Sequence, residues 1–236
     1  MNSLEQDHAA WRARRLAALT AEDGWLTVIG LEWLEDGDYS VGSAGAIQLE
    51  AAPPLLGVLR AIGGTVEWRP VDGPAQRLAS DADGAPTVVH HGRYRLFVIE
   101  RDGRLALRIK DAEAPARRDF KGIEYFPFDP AWILAARWDG ALAHFDYQGQ
   151  AHTLRPQRAG ERPLQFVIGD RSSGRETYGG GRFLFATPEA DGALTLDFNR
   201  AINPPCVFTL YATCPLPAAE NRLPFAVTAG ERSDGH

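Results

Sequence analysis

Residues 94–110 read YRLFVIERDGRLALRIK, two runs of branched, aromatic and basic residues on either side of Asp102-Gly103. Asp-Gly between two such runs is a strong short-range signal for a tight β-hairpin, because the turn needs positive φ angles that Asp tolerates and Gly adopts freely. After the turn, Leu105, Leu107 and Ile109 alternate with Arg104, Arg108 and Lys110. A period of two predicts a strand with one buried and one wet face. This hairpin sets the class: the chain reads as mainly β.

The same logic extends in both directions. Upstream, GWLTVIGLEWL from Gly24 is rich in aromatic and branched residues. Short strands are predicted near 38–41, 46–49, 65–68, 76–79 and 86–90, punctuated by Gly42, Pro53-Pro54, Gly63-Gly64, Asp72-Gly73 and Asp83-Gly84. Downstream, residues 111–132 mix charges, aromatics and three prolines without a period. They read as a structured loop with a short strand at 123–126. Strands resume at 133–138, 141–147, 152–155, 164–169, 181–187 and 193–199, the last two flanking Asp191-Gly192 as an expected hairpin. At the front, residues 3–19 predict a helix whose apolar face is Leu4, Trp11, Leu16 and Leu19. The fold expected is mainly β, antiparallel sheets forming a barrel or sandwich with one N-terminal helix. It is organised as a single unit over residues 1–236, with halves of about 25–110 and 122–230 sharing one core.

The chain has 236 residues, 44% hydrophobic and 24% charged, with a formal charge of −6. That size supports a core without metals or disulfides. The acidic balance argues against nucleic acid or an anionic membrane surface as partner. There is no apolar run of about 18 residues for a transmembrane helix, and the N-terminus shows no secretory h-region, so a cytoplasmic location is expected. Cys206 and Cys214 are the only cysteines and have no zinc-type spacing. They are expected to be reduced, mostly buried and not needed for chemistry.

GxSxG, HExxH and the GxxxxGK[ST] phosphate loop are absent, which removes their characteristic chemistries. No cofactor or metal is expected; His90-His91 point to opposite strand faces. The Gly179–Gly181 run is read either as a close approach to a ligand or as a bulge or tight bend. If the 181–187 and 193–199 strands pair, they gather Glu176, Tyr178 and Arg182 with Asp197, Asn199 and Asn203. The 111–125 loop would then supply Arg118 and Tyr125 from the other side. Such a cluster is either a site or a polar network that pins an irregular loop.

Four blocks resemble the bacterial family named domain of unknown function 1684. They are GWLTVIGLEWLEDGDYSVGS at 24–43, KDAEAPARRDFKGIEYFPFDPAW at 110–132, GRETYGGGRFLF at 174–185 and LDFNRAINPPCVFTLYATCPLPAAENRLPFAVTAGE at 196–231. The resemblance implies one family-type unit over most of the chain and brings no activity with it. Relative to the family pattern, the connection through Arg137–Ala143 is short.

Three functions stay open. One is a pocket near the C-terminal half that binds a small polar or anionic ligand through Arg118, Tyr125, Tyr178, Arg182, Asn199 and Asn203. Another is a metal-independent hydrolase using Glu176 and Asp197 as a carboxylate pair. The third is a non-catalytic interaction module.

Overall fold

The computed structural model describes residues 3–82 and 84–233; Asp83 of the expected Asp83-Gly84 turn lies outside them. The protein is mainly β, with several antiparallel sheets and one long N-terminal helix, α1 (Ser3–Thr20). It divides into two compact units, Thr20–Phe120 and Met1–Leu19 with Lys121–His236.

Among its described residues the N-terminal unit carries nine strands: β1 (Val28–Trp33), β2 (Gly37–Gly42), β3 (Ile47–Gln48), β4 (Gly57–Ile62), β5 (Thr65–Pro70), β6 (Gln76–Leu78), β7 (Val88–His91), β8 (Tyr94–Arg101) and β9 (Arg104–Asp111). They form two open sheets of order β1-β9-β8-β7 and β3-β2-β4-β5-β6. Residues of both sheets, among them Leu59, Val66, Leu96 and Leu107, make one hydrophobic cluster. The β8–β9 hairpin forms as read, pairing from Tyr94↔Asp111 to Arg101↔Arg104 around Asp102 at φ 52° and Gly103 at φ 73°. Its second face is only partly wet, however: Arg104 is exposed at the turn end, but the middle of the strand is buried. β9 is a central strand, and Arg108 is only 5% exposed, its guanidinium 5.0 Å from the Trp25 ring centroid. The cation lies over an aromatic face instead of reaching water.

The C-terminal unit carries β10 (Ile133–Trp138), β11 (Ala143–Tyr147), β12 (Gln150–Leu154), β13 (Leu164–Ile168), β14 (Arg182–Ala186) and β15 (Ala193–Asp197). Their orders are β12-β11-β10-β15 and β13-β14. Phe145, Phe166, Phe198, Leu164 and Leu196 lie in the cluster these strands share. Among the described residues no sheet closes on itself, so the barrel alternative is corrected: every strand order is open-ended.

Three expectations in this unit also change. The strands flanking Asp191-Gly192 do not pair with each other: β14 pairs with β13, and β15 with β10. Asp191-Gly192 instead closes a local turn in which Gly192 donates to Glu189 O and Glu189 to Ala193 O, with Pro188 unable to donate to a ladder. Residues 123–126 are not a strand; Tyr125 makes a single bridge to Glu231. In α1, Leu4 and Leu16 are exposed. The inward stripe is His8, Trp11, Arg12, Arg15 and Leu19, still at helical spacing. His8 Nε2 lies 3.0 Å from Asn199 O, and the Arg12 guanidinium lies 3.8 Å from the Tyr125 ring centroid. Among the described residues no helix is long and apolar enough to cross a membrane.

Candidate functional site

Arg182, the first residue of β14, is the buried centre of the expected polar cluster, but its carboxylate partner is Asp170 instead of Asp197. The two charges meet at 3.0 Å with both side chains essentially inaccessible. Nη1 donates to the carbonyls of Ala229 at 2.5 Å and Glu231 at 3.2 Å, and Nη2 to Val227 O at 2.9 Å. Asp170 is equally committed: its Oδ1 accepts from Ser172 N at 2.8 Å, Ser172 Oγ at 2.5 Å and Val227 N at 3.2 Å. Burial pulls the guanidinium below its ordinary value, and the Asp170 carboxylate pulls it back up. Three carbonyls of the irregular segment 227–231 are satisfied by this one side chain, the role of a polar network that specifies a loop.

Glu231 is the second hub. Its buried carboxylate accepts from Arg15 Nε at 2.8 Å and from Asn203 N at 2.6 Å. Asn203 in turn donates through Nδ2 to Arg232 O at 2.9 Å. Tyr125 bridges to Glu231, and burial first, then the Glu231 charge, pushes its phenol up to about 12. Tyr125, Arg182 and Asn203 are therefore brought together around residues 229–232. Asn199 is turned elsewhere: its amide makes a closed pair with the Asp129 main chain, at 2.9 and 3.0 Å. Asp197 caps the turn Phe198–Arg200 and holds Arg200 at 3.0 Å. Glu176 is exposed, with its main chain bonded to Ser172 and Ser233. Glu176 and Asp197 share no hydrogen-bond or ion-pair partner among the described residues.

The two remaining candidates make contacts of their own. Arg118 belongs to the N-terminal unit, exposed and ion-paired to its neighbour Asp119 at 3.3 Å. It lines a cavity of about 510 Å³ with Thr20, Ala112, Glu113 and Arg117. Tyr178 lies beside Cys206. Both cysteines are free and half-buried, less enclosed than expected. The glycine run follows its second reading, a tight bend: Gly181 has φ 90°, and a Cβ there would fall 2.6 Å from Ile168 O.

Sequence reasoning passed over a groove of about 640 Å³ across β10, β11 and β12. Register places Arg137 opposite His144, and His144 opposite Thr153, so the three form one row on one face of the sheet. Ala135 and Ala151, also on its lining, leave the floor low, and Arg222 and Glu220 stand on its rim. The acids here are occupied. Glu220 pairs with Arg155 at 2.9 Å, Asp146 accepts from Gly149 N at 2.9 Å, and Asp139 holds His144 Nε2 at 2.7 Å. Main-chain donors Leu142 and Ala141, with His144, keep the Asp139 carboxyl well below the usual range. Arg137 and Arg222 are exposed, and neither has a carboxylate partner among the described residues. No local sequence pattern marks this row, because it exists only in the register of three strands.

Comparison with known proteins adds a family segment. Residues 140–232 match the family described as "Protein of unknown function (DUF1684)". The DUF1684 match thus takes in β11 to β15 and the segment pinned by Arg182. The blocks at 24–43 and 110–132 lie outside it, so the likeness read over most of the chain narrows to this part. No curated protein matches the chain. Among solved structures, the solution NMR structure of an uncharacterized protein of Haloarcula marismortui is similar at 32% identity. That match covers 50% of this chain and 80% of the other, with a TM-score of 0.43. Of the groove residues, His144, Asp146, Thr153, Glu220 and Arg222 lie inside the DUF1684 segment and Arg137 just before it.

Proposed function

We propose that the protein binds a small anionic ligand, of phosphate or carboxylate size, in the groove across β10, β11 and β12. One observation carries this: the two uncommitted cations on the groove, Arg137 and Arg222, face a lining whose carboxylates are already paired or hydrogen-bonded. A guanidinium without an acid partner suits bidentate recognition of an oxyanion. His144 adds a third polar group, with one ring nitrogen fixed by Asp139. A fixed ring orientation lowers the ordering cost of binding. Arg182 and Asn203, by contrast, are committed to the chain and serve as scaffold.

The test is isothermal titration of inorganic phosphate at low ionic strength, where exposed charges act at longest range. The double variant Arg137→Ala, Arg222→Ala is expected to weaken binding by on the order of tenfold or more, since two charge-assisted hydrogen-bond donors are lost. Its melting temperature should be unchanged, because both side chains are exposed. Equal affinity in wild type and variant contradicts the proposal.

A further inference from the structure

The irregular segment after Asn203 brings the chain's two cysteines together. Pro205–Val207 forms a short helical turn, and Cys214 Sγ accepts a hydrogen bond from Cys206 N at 3.3 Å. Cys214 and the Tyr178 hydroxyl both lie near enough to the Cys206 sulfur to act on its charge. Tyr178 is itself held by backbone. A Cβ at Gly180 would lie 2.4 Å from Tyr178 Cε1, so the ring occupies space that only glycine leaves. Between the cysteines the chain is open to solvent, with Leu210 95% exposed. Paired thiols, a positioned phenol and an open approach are the parts of a thiol-exchange site.

We propose that Cys206 and Cys214 are a reversible dithiol–disulfide pair in which Cys206 attacks, Tyr178 supplies its hydrogen bond and Cys214 resolves, with a low-molecular-weight disulfide as electron acceptor. The Cys206 thiolate attacks one sulfur of the small disulfide RSSR, forming a mixed disulfide and expelling RS⁻, which takes a proton from water. Cys214 then loses its proton to water and attacks Cys206 Sγ. The Cys206–Cys214 bond forms, the mixed disulfide breaks, and a second RS⁻ leaves and is protonated. In sum, two protein thiols and one RSSR give one protein disulfide and two RSH; two electrons pass to the small disulfide.

The direction of attack follows from which sulfur is stabilised as an anion. The Cys214 thiol, then the Tyr178 hydroxyl and the main-chain N–H groups of Cys206 and Val207, draw the Cys206 thiol down to about 6. Tyr178 is pushed up to about 12, first by its bond to Cys206, so it remains a donor at neutral pH. The sign is that of a depressed acid: the thiolate fraction rises as pH climbs through about 6 and falls below it. The site uses none of the groove residues, so it stands or falls apart from anion binding.

Glutathione disulfide is the probe, used on the reduced full chain at neutral pH with acid quench and peptide mass analysis. Wild type is expected to give a Cys206–Cys214 bridge that dithiothreitol reverses. Cys214→Ser is expected to trap the glutathione adduct on Cys206, and Cys206→Ser to react on the order of tenfold more slowly. Tyr178→Phe keeps both thiols, and there the pH midpoint of iodoacetamide labelling at Cys206 should move up from its wild-type value. A wild-type midpoint at an ordinary thiol value, an adduct trapped on Cys214 of wild type in place of the bridge, or a midpoint unmoved by Tyr178→Phe overturns the proposal.

Discussion

Arg182→Ala is expected to cost about 3–5 kcal/mol of stability, the range for removing one partner of a buried ion pair. The change leaves the Asp170 carboxylate buried without its cation and strips hydrogen bonds from the carbonyls of Val227, Ala229 and Glu231. Urea denaturation followed by tryptophan fluorescence measures it, read as a fall in midpoint at constant slope. Coupling of the pair is separated by Asp170→Asn combined with Arg182→Met. The double variant should lose less than the sum of the two single changes, because neither leaves an orphaned charge once both are gone. A loss under about 1 kcal/mol for Arg182→Ala, the level of an exposed pair, contradicts the scaffold role.

Glu231→Ala is expected to be of similar size, about 3–5 kcal/mol, for the same reason. The carboxylate is fully buried, and it joins Arg15 on α1 to the main chain of Asn203. Its removal leaves the Arg15 guanidinium, only 15% exposed, with the Asn203 carbonyl but no carboxylate, and the buried Asn203 N–H without its acceptor. The helix should detach before the sheets melt. Hydrogen exchange at the amides of α1 is expected to accelerate more than exchange in β10 or β15, since helices of this length depend on tertiary contacts. Equal acceleration everywhere, with α1 still docked, would contradict this.

Much of the β character was legible because alternation and Asp-Gly turns act locally. The β8–β9 hairpin was read correctly since its two strands are neighbours in the chain and its turn has no competing use. β4 was missed: GVLRAI follows Pro53-Pro54 and a leucine pair, and its alternation is masked by apolar residues on both sides. The Asp191-Gly192 turn was visible, but the partners of its flanking strands were not. β13 and β10 lie far back in sequence, and long-range pairing is decided by packing.

The candidate site shows the same division. Arg182 and Asn203 stood out as polar residues in an irregular stretch, and they do form a network with Tyr125. Their hubs, Asp170 and Glu231, have no period or motif to betray them; the partners that matter, Arg182 and Asn203, lie 12 and 28 residues away. Arg137, His144 and Thr153 become a row only once the register of three strands is known.

Where an anion binds separates the groove from the buried Arg182 network. The direct measurement is a titration of isotope-labelled wild-type protein with inorganic phosphate, followed by amide chemical shifts. Saturable shifts are expected at residues 135–137, 144–146, 151–153 and 220–223, with Arg182, Asn203 and Glu231 still. Shifts centred on Arg182 and Asn203, or on Arg117 and Arg118, or none that saturate, would contradict it.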